Sequence, residues 1–435
     1  MDYIDNILFA ILLCIGIGFF AMNVKKLIRN IKLGKEVNRK DNPSERWKNM
    51  AMIAMGQSKM VKRPIAGFLH IIVYAGFIII NLEVLEIIID GLLGTHRVFS
   101  KFLGGFYDVL IGSFEVLALL VLVAVIVFWM RRNIIKLKRF WNSEMNGWPK
   151  NDGNIILYFE VVLMTLFLVM NATDAHFQAN HSGNVISQFI APMFSSFSIE
   201  SLHIVERTAW WLHITGILIF LNYLYFSKHL HILLAFPNTY FADLNPKGEL
   251  DNLESVTNEV KLMMDPTADP YAAPANPEAV PAKFGASDVQ DLNWVQLLNA
   301  YTCTECGRCT SACPANITGK KLSPRKIMMD TRDRLEEVGK NIDANKGVFV
   351  DDNKSLLNDY ISPEELWACT SCNACVEECP VNISPLSIII DMRRYLVMEQ
   401  SAAPMSLNAM MSNIENNGAP WQYNQQDRLN WKDEN

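Results

Sequence analysis

The sequence predicts an all-α protein with two parts, a five-helix transmembrane bundle and, after it, a smaller helical domain. The chain of 435 residues is too long for one ordinary domain, and most of its apolar runs lie before Pro237. Nine cysteines are present, and eight of them fall in two groups of four near the C-terminus. The formal net charge of -6 is modest and gives no indication of a nucleic-acid partner.

Five segments are long and apolar enough to cross a membrane, which takes about 20 mostly apolar residues. They are residues 4–24, 65–89, 107–130, 154–172 and 208–227. The chain starts with two acids and no basic residue before the first apolar run. We therefore expect no cleavable signal peptide, and the first segment is predicted to be a retained membrane helix.

Basic residues predict how the bundle is oriented in the membrane. The stretch 25–63 holds twelve Lys or Arg residues and 131–139 holds five, whereas 171–206 holds none. Because loops rich in Lys and Arg stay in the cytoplasm, the N-terminus is predicted to lie outside and the C-terminal half inside. This predicts a multi-pass protein of the inner (cytoplasmic) membrane.

The predicted domain organisation has four parts. They are a transmembrane domain at 1–236, a linker at 237–290, a cysteine-rich domain at 291–400 and a tail at 401–435. Within the linker, residues 265–286 are acidic and rich in Pro and Ala, with too little apolar content for a core. The tail is rich in Asn and Gln and is predicted to be poorly ordered until a partner docks on it.

Both cysteine groups have the spacing C-x2-C-x2-C-x3-C-P. This spacing lets three thiolates of one loop hold one [4Fe-4S] cluster while the fourth cysteine reaches the other cluster. The first cluster is thus predicted on Cys303, Cys306, Cys309 and Cys379, and the second on Cys369, Cys372, Cys375 and Cys313. The domain is predicted to be an α-helical ferredoxin-like dicluster domain.

Zinc and disulfides are the alternatives for these cysteines. Zinc ribbons use isolated C-x2-C pairs, which leaves the third cysteine and the following proline (Pro314, Pro380) unexplained. Disulfides are not expected in a reducing cytoplasm. Small and polar residues between the ligands, such as Gly307 and Ser371, leave backbone N–H groups free to bond the sulfurs. Cys14 is predicted to be an ordinary residue of an apolar helix.

Histidines near or inside the predicted spans are candidate cofactor ligands, because an imidazole in hydrocarbon is costly. On one continuous helix, the 18 residues from His213 to His231 make about five turns and place both on one face. His70 and His231 then reach similar depth near the cytoplasmic surface, which suits axial ligation of one haem b. His229 is the fallback ligand, and a purely interfacial basic cluster is the alternative.

His213 is predicted to bind a second haem or to line a quinone pocket near the outer surface. The second span offers no further ligand, because residue 80, ten beyond His70, is Ile80. His176 or His181 of the outer loop could approach His213 instead. Acids in or near the spans could assist proton movement or form interhelical hydrogen bonds, and these are Glu83, Glu86, Glu115 and Glu160.

The membrane part resembles the membrane cytochrome b of the respiratory nitrate reductase gamma subunit. The stretches RPIAGFLH and WWLHITGILIFLNYLYFSKHLHILLAFP carry this resemblance, together with five spans and an outside N-terminus. It implies that His213 and His231 each ligate one haem and that His70 is the inner ligand of the second span. Ile80 departs from this pattern, since the family has a further haem ligand there.

The cysteine-rich part is similar to the C-type subunit of heterodisulfide reductase. The similarity is carried by WVQLLNAYTCTECGRCTSACPA, CTSCNACVEECPV and the tail NNGAPWQYNQQDRLNW. It implies a partner with cysteine-rich CCG motifs, and because this sequence has none, a separate cytoplasmic redox subunit is expected: a CCG-domain protein, a flavoprotein or a dehydrogenase.

The predicted function is that of an electron-transfer subunit of a quinone-linked oxidoreductase. Haem b would exchange electrons with membrane quinone, and two [4Fe-4S] clusters would exchange them with the cytoplasmic partner. The other expected contacts are with membrane lipid. The alternative is a haem-free membrane anchor whose ferredoxin head docks a soluble dehydrogenase or flavoprotein.

Overall fold

The computed structural model describes residues 3–179, 182–267 and 283–433. Every regular element in these ranges is a helix, and no β-strand occurs in them, which confirms the predicted all-α class. Short 3-10 and π turns join several of the helices. One isolated bridge pairs Lys35, after the first helix, with Asn293 of the C-terminal half.

The helices of the two halves are as follows. The first half contains α1 (Ile4–Ile31), α2 (Pro43–Met50), α3 (Pro64–Leu93), α4 (Ser100–Leu103), α5 (Gly105–Asn133), α6 (Trp148–Thr173), α7 (Ala175–Ala179), α8 (Ser187–Ile190), α9 (Ile199–Tyr223) and α10 (His231–Tyr240). The second half contains α11 (Glu254–Met264), α12 (Trp294–Thr302), α13 (Arg308–Ala312), α14 (Pro314–Ile317), α15 (Pro324–Ala344), α16 (Pro363–Trp367), α17 (Ala374–Glu378), α18 (Pro385–Met398) and α19 (Met405–Asn417).

Five helices, α1, α3, α5, α6 and α9, are long and apolar enough to cross a membrane, as predicted. They form a bundle in which α3 packs on α5, α5 on α6 and α6 on α9, while α1 contacts α3 and α9. Its core includes the fully buried Phe9, Phe114, Phe167 and Ile214. Large apolar side chains on the outer faces are exposed, as expected for surfaces that meet lipid.

The fifth span is interrupted, so the prediction of one continuous helix from His213 to His231 is wrong. Helix α9 ends at Tyr223, and Ser227 has extended backbone angles (φ -113, ψ 147) before α10 begins at His231. A tertiary contact fixes the break: the buried Asp152 carboxylate accepts hydrogen bonds from Tyr223 Oη (2.6 Å) and Lys228 N (3.1 Å). His213 and His231 therefore belong to two different helices.

The membrane half and the C-terminal half share one hydrophobic core. Leu27 and Leu230 pack in the same buried cluster as Leu297 of α12. Hydrogen bonds cross the boundary as well, from Asn30 Nδ2 to Tyr301 Oη (2.8 Å) and from Asn238 Nδ2 to the Val381 carbonyl (2.7 Å). The two halves are therefore a single packed body rather than a bundle with a tethered head.

The structure adds three details to the predicted linker and tail, whose bounds and order stay predictions. Helix α10 runs through residue 237, where the linker was expected to start. The expected acidic stretch 265–286 lies largely outside the described residues, but from residue 283 onwards the chain packs on the C-terminal domain and buries Val289 completely. The tail contains α19, a helix with no buried residue, where poor order was expected.

Replacement of Arg334 by Ala is expected to destabilise the C-terminal half. Its fully buried guanidinium pairs with Asp288 (2.7 Å) and Asp352 (2.6 Å). Because removal of the guanidinium leaves two partly buried carboxylates without their cation, we expect a loss of about 2 kcal/mol in the free energy of unfolding. Thermal unfolding of the full chain in detergent measures it.

Lys354→Ala is the matched control. The Lys354 side chain is half exposed and pairs with a similarly exposed Glu337 at 3.0 Å, so its loss should cost less than about 1 kcal/mol. Equal destabilisation by the two substitutions would contradict the assignment of Arg334 as a buried anchor.

Candidate metal and cofactor sites

The first cysteine loop follows α12 and ends in α13. Cys303 is the residue directly after α12, and Cys309 lies in the first turn of α13, with Cys306 between them. Two residues of this loop, Glu305 (φ 53) and Gly307 (φ 71), have left-handed backbone angles. Such residues turn the chain sharply and point successive N–H groups inward, which is how backbone loops enclose anionic groups.

The second cysteine loop repeats this backbone. Ser371 (φ 55) and Asn373 (φ 60) are left-handed at the equivalent positions, and α17 then carries Cys375. The N–H of Ser371 donates to Cys369 Sγ at 3.4 Å. The equal spacing of the two motifs thus produces two equal loops, as the sequence repeat predicts.

The structure brings the fourth cysteine of each motif to the other motif. One cavity is lined by Cys303, Cys306 and Cys309 of the first motif together with Cys375 and Cys379 of the second. Cys313 of the first motif is in turn close to the second motif. Burial and the neighbouring thiols of Cys369 and Cys313 raise the pKa of Cys375 to about 12. The helices α13 and α17 pack directly against each other between the two sites. The two cysteine groups are therefore close in space, and the assignment of each fourth cysteine to the other motif's cluster stays a prediction.

Burial disfavours the thiolate form in which a cysteine binds a metal. Burial raises the pKa of Cys303 to about 12 and that of Cys379 to about 11, so both stay protonated at neutral pH until a metal displaces the proton. In the described part of the chain, no three His, Cys, Asp or Glu side chains converge as ligands of one metal ion do. A [4Fe-4S] cluster binds each cysteine thiolate at a different iron. The four cysteine sulfurs therefore need not lie around a single point, as the ligands of one metal ion do.

Three imidazoles gather at the boundary between the two halves. The rings of His229 and His231, on either side of the start of α10, have centroids 5.4 Å apart. Burial lowers the pKa of His229, and positive charge on His231 or on His70 of α3 lowers it further, so His70 lies in the neighbourhood of the pair. His231 Nδ1 donates to the Lys228 carbonyl at 3.0 Å. That bond fixes the tautomer whose Nε2 is free to bind a metal.

His70 fits the same role, because its Nδ1 is buried and has no hydrogen-bond partner among the described residues. The joint role of His70 and His231 as haem ligands stays a prediction, and the continuous helix on which it relied does not exist. His229 comes equally close and remains the alternative ligand.

His213 lies apart from these three, inside the bundle. Its Nδ1 donates to the Leu163 carbonyl (3.0 Å), and its Nε2 faces Glu83 Oε2 of α3 at 4.0 Å, where neither facing atom has a hydrogen bond to a described residue. His176 is exposed on α7, and His181 lies outside the described residues. Second-haem binding by His213 stays a prediction, and Glu83 is a neighbour of His213 that the sequence did not indicate.

A buried ion network connects the first cysteine loop to the histidine segment. Glu305, between Cys303 and Cys306, pairs with Lys228 and with Arg332 Nη1 (2.8 Å). Burial alone would raise the pKa of Glu305, but these two cations hold that pKa below its usual value. Sequence reasoning missed this network, and an acid placed between two ligand cysteines was the available signal.

Residues 302–383 match the family described as 4Fe-4S dicluster domain. Both cysteine groups lie within this matched range. This result confirms the coarser prediction for the C-terminal half, an iron-sulfur domain with two cysteine groups, whereas the individual ligands stay predictions.

Three relatives cover different shares of the chain. It is 30% identical to "Probable iron-sulfur-binding oxidoreductase FadF" of Bacillus subtilis over 99% of this chain and 61% of that protein. It is 26% identical to "EtfAB:quinone oxidoreductase" of Syntrophomonas wolfei over 98% of this chain and 59% of the relative. It is 32% identical to the C-type subunit of the ferredoxin/F(420)H(2)-dependent CoB-CoM heterodisulfide reductase of Methanosarcina acetivorans, over 25% of this chain and 52% of the relative.

The predicted similarity to the C-type subunit of heterodisulfide reductase is thereby confirmed, and similarity to the nitrate reductase gamma subunit stays a prediction. The chain spans about three-fifths of the length of the Bacillus and Syntrophomonas proteins. No solved structure matches the chain significantly.

Gly307→Ala is expected to impair cluster binding at the first cysteine loop. A Cβ on Gly307 would meet Arg325 Nη1 at 2.6 Å, and Arg325 is fully buried against Glu144. Gly319→Ala is the matched control, because Gly319 has a similar positive φ of 82 but open space around its Cβ position. Both variants bear the left-handed strain of about 1 kcal/mol.

Iron and acid-labile sulfide per chain are the measurement. Only Gly307→Ala should show a clear fall in both, and equal contents in the two variants would show that the crowding around Gly307 is unimportant for the cluster.

Proposed function

We propose that this protein transfers electrons between membrane quinone and a cytoplasmic redox partner, through haem b and two [4Fe-4S] clusters. One observation carries the proposal. The cysteine loops and the cluster of three histidines belong to one packed body, in which Lys228, next to His229, pairs with Glu305 inside the first cysteine loop. Cofactors bound at these places supply one-electron chemistry, and the protein supplies spacing and electrostatics.

The proposed ligand sets follow the sequence spacing. The first cluster would be held by Cys303, Cys306, Cys309 and Cys379, and the second by Cys369, Cys372, Cys375 and Cys313. Haem b would be held between α3 and the segment after the break, by His70 and His231, with His229 as the alternative. His231 is prepared for this role by its Nδ1–H bond to the Lys228 carbonyl, which orients the ring.

The partner would approach the second cysteine loop. Cys372 is the exposed member of the eight cysteines of the two motifs, and Thr370 in the same loop is exposed as well. The Syntrophomonas relative's name gives EtfAB and quinone as its redox pair. We propose a cytoplasmic redox protein of that kind as the partner, on the side that the Lys and Arg distribution assigns to the cytoplasm. The exposed helix α19 of the tail is a second contact candidate.

A haem-free membrane anchor is the second candidate function. A relative from Chromohalobacter salexigens is named "Probable membrane-anchored ferredoxin" and is 33% identical over 34% of this chain. The same cysteine loops would serve this function, but the three histidines would have no cofactor. Haem content therefore separates the two candidates.

A dithionite-reduced minus oxidised spectrum of the purified full-length protein is expected to show b-type haem bands. His70→Ala and His231→Ala should each lose most of that absorbance, because a residue that would hold the haem is removed, while the iron-sulfur absorbance stays. The control is His203→Ala, since the His203 side chain lies on α9 and is 72% exposed.

Two results would contradict the proposal in different ways. Iron-sulfur absorbance without b-type bands would favour the haem-free anchor. Zinc in place of iron, with no acid-labile sulfide, would remove both candidate functions.

A further inference from the structure

Three cations surround the first cysteine quartet, and they come from three separate parts of the chain. Arg308 lies between Cys306 and Cys309 in the cysteine loop itself. Lys59 precedes α3, and Arg139 follows α5, so both belong to the membrane half. The C-terminal half thus contributes the thiols while the membrane half contributes two of the three charges.

Contacts tie these side chains to the loop. Arg308 is 4% exposed, and its Nη1 donates to the Lys59 carbonyl at 3.0 Å while its Nη2 contacts Met60 Sδ at 3.4 Å. A Cβ on Gly307 would lie 3.3 Å from the Arg139 Cβ, so Arg139 rests directly on the loop. The position of all three cations is therefore set by the packing of the two halves.

The electrostatic effects agree with this placement. Burial lowers the pKa of Arg139, and the Cys306 thiol opposes the fall. Burial likewise lowers the pKa of Lys59, and Cys379 opposes that fall. In the thiolate form that a cluster requires, Cys306 and Cys379 thus attract these two cations.

None of these three cations forms an ion pair with an acid of the described residues, although Glu378 attracts Lys59 from a longer distance. Among the described residues, no carboxylate lies within 4 Å of the charged nitrogens of Lys59, Arg139 or Arg308, whereas their neighbours are paired. The paired neighbours are Arg63 with Glu378, Arg325 with Glu144 and Arg332 with Glu305. A half-buried or buried cation without an anion is costly, so an anionic group is expected between them.

The second quartet has a different environment. One cation, Arg393, lies beside Cys369, and its guanidinium is occupied by the carbonyls of Leu366 and Cys369. Burial lowers the pKa of Arg393, and Cys369 opposes the fall. Among the described residues, the first quartet is therefore flanked by three cations free of carboxylates and the second by one.

We propose that Lys59, Arg139 and Arg308 give the cluster of the first quartet a higher reduction potential than the cluster of the second quartet. The inference rests on the proposed function. Reduction adds one electron and hence one negative charge to a cubane and its four thiolates, without making or breaking a bond. Nearby cations stabilise that added charge, and more so where little water screens them.

The test is a potentiometric titration with dithionite, followed by electron paramagnetic resonance, on the full-length protein in detergent. Two cluster signals with different midpoint potentials are expected. Lys59→Gln and Arg139→Gln should each shift the higher midpoint downward and leave the lower one in place. Lys59→Arg should retain the higher midpoint, because it keeps the charge while changing the shape of the side chain.

Arg393→Gln is the matched control, since it removes one cation from the second quartet. Arg393→Gln should shift only the lower midpoint, which Lys59→Gln leaves unchanged. The proposal is overturned if the glutamine variants retain full iron and sulfide but move neither midpoint, or move the lower one. Protein without any cluster signal would instead contradict the proposed function, so the two failures are distinguishable.

Discussion

The buried Lys228–Glu305 ion pair is the interaction on which the arrangement of both halves depends. Lys228 follows the break in the fifth membrane helix, and Glu305 lies inside the first cysteine loop. Burying two charges is favourable only when both are fully paired and hydrogen-bonded, and here Asp152 and Arg332 complete the network. The same network fixes the position of the histidine segment relative to the thiols.

The helix break follows from that network rather than from local sequence. Between Tyr223 and His231 the chain has neither Gly nor Pro, the usual residues at an interruption. The Asp152 carboxylate stabilises the break instead, because it bonds the Tyr223 hydroxyl and the Lys228 amide across it. A membrane helix with unsatisfied backbone groups is costly, so such a break is tolerated only where protein groups satisfy them, and here it lies at the packed boundary of the two halves.

Hydropathy and cysteine spacing predicted most of the architecture, because both are local signals. Five spans and two equivalent cysteine loops follow from runs of apolar residues and a repeated motif. The contacts that decide the site join residues distant in sequence, such as Glu83 with His213 and Lys228 with Glu305, and no periodicity marks them. The break at Ser227 was missed for the same reason, and with it the true relation between His213 and His231.

The helix that carries His231 has a consequence for modularity. Helix α10 continues past residue 237 and bonds Val381 through Asn238, so the chain leaves the membrane half as part of the core of the other half. A recombination event that exchanged the C-terminal half at this point would cut through a shared interior and expose Leu230 and Leu297. The shared core therefore favours inheritance of the two halves together and disfavours exchange of either half alone.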